Sequence, residues 1–238
     1  MTSTELGPLS GWKVTAASAL GLPVFGYLHL ALRSMSLRAR GLSAPSASAR
    51  PQLLYTWHQN IYLMYMLARL HAELREMVWL THDRWRALWG SLPPTNWGMP
   101  VFVFRFGGAD SRLRQIAEAF PRARRLVMFP DSGGPYFALK PGIVRLARLV
   151  DAELIPVGLD ASRRIEIGRH ARHRLPLPGA ELHYRFGSPI DLRDRESGDS
   201  GAAAADMALC RDALAEVSAA ADQDAARGRQ AQRAQEKG

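Results

Sequence analysis

The chain has a single cysteine, Cys210, in 238 residues. One thiol can build neither a disulfide framework nor a cysteine metal cluster, and a reducing compartment is the natural setting. An unbroken apolar run is also missing. Residues 14–32 approach the length of a bilayer span, but they contain Pro23, Gly21, Gly26, Thr15, Ser18 and His29, which makes a poor spanning helix. No basic start followed by a small-residue cleavage site is present, so no signal peptide is read. There is no internal repeat, no phosphate-loop glycine pattern and no nucleic-acid-binding motif.

What is present fits a globular protein with one sizeable core: hydrophobic residues make up 47% of the chain and a second full domain is not required. Basic residues exceed acidic ones by 31 to 22, and the excess is uneven. Residues 1–190 hold 24 basic and 12 acidic side chains, whereas from 191 onward 7 basic stand against 10 acidic. The positive field therefore belongs to the folded part. It favours anionic partners, whether phosphates, acidic lipid surfaces, acidic carrier proteins or nucleic acid, without choosing among them.

The chain is organised around residues 125–146. Leu126–Phe129 is an apolar run of strand length, and Pro130 ends it because proline cannot donate to a sheet ladder. Asp131-Ser132-Gly133-Gly134-Pro135 follows with no hydrophobic residue, and Pro141-Gly142 opens a helix with Ile143, Leu146, Ala147 and Val150 at helical spacing. A buried strand running into a polar, glycine-bearing loop is how open α/β sheets present reactive groups. The same logic applies to His58, which follows the short strand Leu53–Trp57 and precedes a helical pattern from Ile61 to Leu74. Two such junctions in one sheet can converge on one crevice.

Further strands are expected at 77–81, 101–104, 154–159 and 181–186, the last read as an edge strand. His82-Asp83 invites a metal reading, but further ligands at suitable spacing are absent, and a polar helix start is preferred. Arg105 ends the strand 101–104 and is suited to bidentate phosphate binding. Residues 160–174 are basic enough to touch an acidic surface. Residues 202–220 read as an alanine-rich helix and 221–238 as a charged, frayed tail. These elements predict an α/β fold with a mixed, mostly parallel sheet of about seven strands flanked by helices. Residues 1–40 are expected to form an N-terminal helix region, best read as lying in the membrane interface between Trp12, Lys13, Arg33, Arg38 and Arg40; a packing helix and a true span are the alternatives. Residues 41–190 form the α/β domain, beginning with a Ser/Ala/Pro-rich linker at 41–52, and 191–238 the C-terminal helix and flexible tail.

Trp57-His58, Gly98 and Arg105, Phe129-Pro130-Asp131-Ser132-Gly133-Gly134, Lys140-Pro141-Gly142-Ile143 and Ile155-Pro156-Val157 together resemble the block order of the lysophospholipid and glycerolipid acyltransferase superfamily. The resemblance is closest to a small bacterial branch of undefined function with Trp-His and Pro-Asp-Gly-Pro-like blocks, and it covers residues 25–190. It implies transfer of a fatty acyl group from acyl-coenzyme A or acyl-carrier protein to a lysophospholipid or related acceptor in phospholipid biosynthesis. It implies no cofactor, no metal and no nucleic-acid partner. The setting it implies is an anionic membrane surface on the cytoplasmic face of the inner membrane. His58 would be the general base, and Asp131 would contact the acceptor or steady His58. Arg105 would hold an acidic group, and the amides of Ser132, Gly133 and Gly134 would meet the oxyanion. Tyr55, Tyr62, Tyr65, Met64 and Met66 are either an acyl channel or core, with core favoured. One departure stands out: the family's His-x-x-x-x-Asp block has Leu63 in place of the aspartate. The alternative is therefore a catalytically impaired, lipid-binding member of the same fold.

Overall fold

The computed structural model describes residues 11–40, 45, 48–82, 97–105, 108–118, 120, 124–132, 134–169, 172–193, 195 and 200–235. Seven strands form one sheet: β1 (Ser36–Ala39), β2 (Gln52–Tyr55), β3 (Val78–His82), β4 (Val101–Phe104), β5 (Arg125–Met128), β6 (Glu153–Ala161) and β9 (Glu181–Phe186). Their order is β1-β9-β6-β2-β5-β3-β4. Strands β2 to β6 run parallel to one another, β9 is antiparallel to β6, and β1 is parallel to β9. A separate antiparallel pair, β7 (Arg164–Ile167) and β8 (His173–Pro176), completes the strands.

The five described helices are α1 (Gly11–Ser34), α2 (Ile61–Leu70), α3 (Ala109–Ala117), α4 (Gly142–Leu149) and α5 (Ser200–Gln235). They cover both faces, which is why the parallel strands read as nearly continuous apolar runs. Alternation along each strand divides the core in two. Leu54, Val127, Ile155 and Val157 pack with α2 and the end of α1. Leu53, Tyr55, Leu126 and Leu154 pack with α3, α4 and α5.

The crossovers place a crevice. From β2 the chain passes through α2 on one face and arrives at β3; from β5 it passes through α4 on the other face and arrives at β6, back across β2. Right-handed crossovers on opposite faces must travel in opposite directions. The neighbours β2 and β5 therefore part company at their carboxyl ends, and such a switch point opens a cleft in α/β sheets.

Two sequence expectations change. Strand β9 lies inside the sheet, because Ser36–Ala39 pairs beyond it. The polar, mostly exposed tetrad of β1 carries no strand signal of its own. The region 221–235 is helix rather than frayed tail, with Ala221, Ala225 and Asp224 buried. Small residues let α5 lie close on the sheet: a Cβ on Gly158 would sit 2.0 Å from the carbonyl oxygen of Val217. Charge then fixes it in place. Asp224 pairs with Arg185 at 2.8 Å, and Asp222 with Arg174 at 2.7 Å.

Helix α1 docks through its second half. Leu28 and Ala31 are fully buried, and the Tyr27 hydroxyl donates to the Pro176 carbonyl at 2.8 Å. Val24 and Leu30 remain exposed on its outer side. Among the described residues, no helix is long and apolar enough to cross a membrane.

Candidate active site

Strand β2 ends at Tyr55, and Trp57 is still extended when the chain turns into the short 3-10 segment His58–Asn60. Asn60 holds this corner, donating from its amide to the Trp57 carbonyl at 2.9 Å and from its side chain to the Thr56 hydroxyl at 3.2 Å. Strand β5 ends one position across the sheet, and Pro130 turns its chain so that Asp131 points inward with no exposed surface. The two corners meet through this carboxylate. Oδ1 of Asp131 accepts from the His58 amide at 2.8 Å, and Oδ2 accepts from the Phe137 amide at 3.0 Å. Asp131 thus holds the main chain of His58 and not its imidazole.

That bond also explains a strained residue. Phe137 has a φ of 63°, a left-handed conformation uncommon for a bulky side chain. Its buried amide bond to Asp131 offsets the strain, and its ring, 46% exposed, meets Trp57 edge-on at 6.0 Å. Lys140 closes the loop from both ends, its amide donating to the Pro130 carbonyl at 3.3 Å and its ammonium to the Ser132 carbonyl at 2.5 Å.

The His58 ring is enclosed by aromatics. Phe129 lies edge-on at 5.6 Å, Tyr136 stacks at 6.1 Å, and His173 approaches edge-on at 4.9 Å between ring centroids. Its Nδ1 is buried with no hydrogen-bond partner. Burial foremost, then the charges of His173 and Lys140, lower its pKa to about 4. Burial also lowers His173, against the raising influence of the His58 carbonyl and Asp131. Asp131 is raised by burial despite its two amide donors and Lys140. Burial lowers Lys140 too, against the pull of Asp131.

The expected site residues fall into two groups. His58, Asp131, Ser132 and Gly134 share the β2–β5 cleft, while Gly133 lies outside the described residues. The amides of Ser132 and Gly134 are engaged within the turn, donating to the carbonyls of Phe129 at 3.0 Å and Asp131 at 3.1 Å. They are not free oxyanion donors in this conformation. Arg105 stands at the same edge of the sheet but after β4, three strands from β2, a separation of about 14 Å at ordinary strand spacing. Its side chain is exposed and its amide donates to Gln115. Asp83 and most of the aromatic stretch 85–97 lie outside the described residues.

Leu63, where the acyltransferase resemblance would expect an aspartate, lies on α2 and is fully buried in the core. No carboxylate stands in for it at the His58 ring among the described hydrogen bonds. Tyr55, Tyr65, Met64 and Met66 are core as well, and only Tyr62 reaches the cleft, edge-on to His173 at 5.7 Å. The basic cluster at 160–174 is largely paired: Arg164 with Asp160 and Glu166, Arg172 with Glu166, and Arg174 with Asp222.

His173 was hidden in that cluster. It reaches the cleft because β8 begins beside the His58 corner, a placement that depends on a hairpin with little apolar signal. A cavity of about 280 Å³ lies at the opposite, amino edge of β2 and β6, lined by Arg50, Arg148, Asp151 and Arg193. Its arginines pair with Asp151, Asp191 and Asp206.

No family model matches the chain, and no curated protein matches its sequence. Function has to be read from the cleft itself.

Proposed function

We propose that this protein transfers a fatty acyl group from an acyl thioester, carried on coenzyme A or an acyl-carrier protein, to a lysophospholipid or related lipid acceptor. The observation that carries this reading is the 2.8 Å bond from the His58 amide to Asp131, which ties two separated loops into one cleft at a sheet switch point. Thioester transfer needs a base for the acceptor's proton, and an imidazole suits neutral pH; His58 is the one the family resemblance implies. Negative charge developing on the thioester oxygen needs donors. With two loop amides engaged, the Lys140 ammonium, which has protons to spare beyond its bond to Ser132, fits that task. Phe137 and the outer side of α1, with Val24 and Leu30, are apolar surface suited to an anionic bilayer reached from the cytoplasm.

A second reading, lipid binding without turnover, is favoured by a specific observation. Leu63 supplies no carboxylate, and Nδ1 of His58 is sealed without an acceptor, so nothing fixes the ring as a base. Purified protein incubated with labelled acyl thioesters and a panel of lysolipids separates the two. Transfer by the wild type and its loss in His58→Ala, with the fold retained, is the expected result. Binding of the thioester with no product above background would replace the first reading with the second.

A further inference from the structure

The cleft holds a second imidazole that is better prepared to accept a proton than the first. Nδ1 of His173 lies 3.2 Å from the His58 carbonyl oxygen. A carbonyl can only accept, so this bond requires the proton on Nδ1 and leaves the lone pair on Nε2. A general base needs that tautomer, and here the main chain fixes it where hydrolytic triads use a carboxylate. His58 is in the opposite condition. A buried N–H without an acceptor costs about 1–3 kcal/mol, so its partnerless Nδ1 favours carrying the lone pair, with the proton on Nε2. His58 is thereby suited to donate.

We propose that His173 is the proton acceptor of this cleft, with His58 as a neighbouring hydrogen-bond donor. The inference rests on the acyl-transfer reading. The acceptor hydroxyl gives its proton to Nε2 of His173 while its oxygen bonds to the acyl carbon. The carbon–sulfur bond then breaks, and the imidazolium returns the proton to the departing thiolate. The groups facing His173 fit the assignment: the His58 ring at 4.9 Å, Tyr62 from α2 at 5.7 Å, and the Asp131 carboxylate, whose charge favours the imidazolium that forms. The missing family aspartate is then explained, because the base is carried on a different element.

Two measurements on the full-length protein test this. Long-range 15N–1H correlation spectra report imidazole tautomers without any substrate, and His173 is expected with its proton on Nδ1; a proton on Nε2 overturns the proposal. In the transfer assay with labelled acyl-coenzyme A and lysophospholipid, His173→Gln keeps a donor for the His58 carbonyl but has no basic nitrogen. It is expected to lose about a hundredfold or more in kcat, with KM little changed. Added imidazole is expected to restore part of the activity of His173→Ala, which a purely structural role would not allow. An active wild type beside a His173→Gln variant within threefold of it removes His173 as the base while acyl transfer stands. A wild type inert toward every acceptor removes acyl transfer, and the tautomer still judges whether His173 is the prepared base.

Discussion

The amide of His58 donates to the carboxylate of Asp131 across 73 residues of chain, and the same carboxylate receives the amide of Phe137. One buried side chain thus sets the geometry of both walls of the cleft. Asp131→Ala leaves two inward-facing amides without acceptors, and each such loss costs about 1–3 kcal/mol. The expected result is a fall in unfolding free energy of that order, with faster amide exchange at His58 and Phe137 than in the surrounding strands. Unchanged exchange at those two amides would mean that the carboxylate does not hold them.

Stability is expected to drop as pH falls from about 6.5 to 4. The folded-state pKa of His58 is about 4, below its ordinary 6.5, so between these values the unfolded chain binds a proton that the folded one refuses. Stability then rises with pH across the window. The full shift corresponds to at most about 3 kcal/mol. His173 and His183, also lowered by burial, act in the same direction. Asp131 is raised by burial and works oppositely, so as pH falls it offsets part of this loss. Denaturant titrations at pH 7 and pH 5 should show a smaller difference for His58→Gln than for the wild type. Equal differences would remove His58 as a main source.

Close approach at Gly158 predicts sensitivity out of proportion to its size. Gly158→Ala places a methyl group 2.0 Å from Val217 main chain, which helix α5 can relieve only by lifting off the sheet. Overpacking of this kind costs about 1–3 kcal/mol. Limited proteolysis should cut α5 in the variant before the sheet, and a melting temperature equal to wild type would show that the helix accommodates the group. Truncation at residue 220 should destabilise the protein as well, since it removes the aspartates that face Arg174 and Arg185.

Membrane attachment can be tested without dismantling the fold. Residues 1–22 precede the buried Leu28 and Ala31 and the strand at Ser36–Ala39, so their removal leaves those contacts in the chain. The truncated protein is expected to sediment less with anionic vesicles than the full chain does. Equal sedimentation would show that residues 1–22 carry no attachment, with Phe137 the next surface to change.

Much of the fold was legible because the parallel strands are short apolar runs buried on both faces, bounded by Pro130, Gly142 and the Trp57-His58 junction. The edges were less so. Strand β1 has one partner and little apolar content, and the face of β9 toward α5 carries His183 and Arg185. The cleft was legible as two strand ends, His58 and Asp131, but not in its chemistry. No spacing rule says that Asp131 grips main chain, or that a hairpin rich in arginine delivers His173. Those placements come from long-range contacts with no local signature.

The cleft rim is built from pieces that the sheet does not need. Residues 134–140 and the start of β8 contribute Tyr136, Phe137, Lys140 and His173, while the strands beneath are joined through their own ladders. Exchanging the side chains of this rim should therefore change what the cleft accommodates while the sheet ladders stay in place.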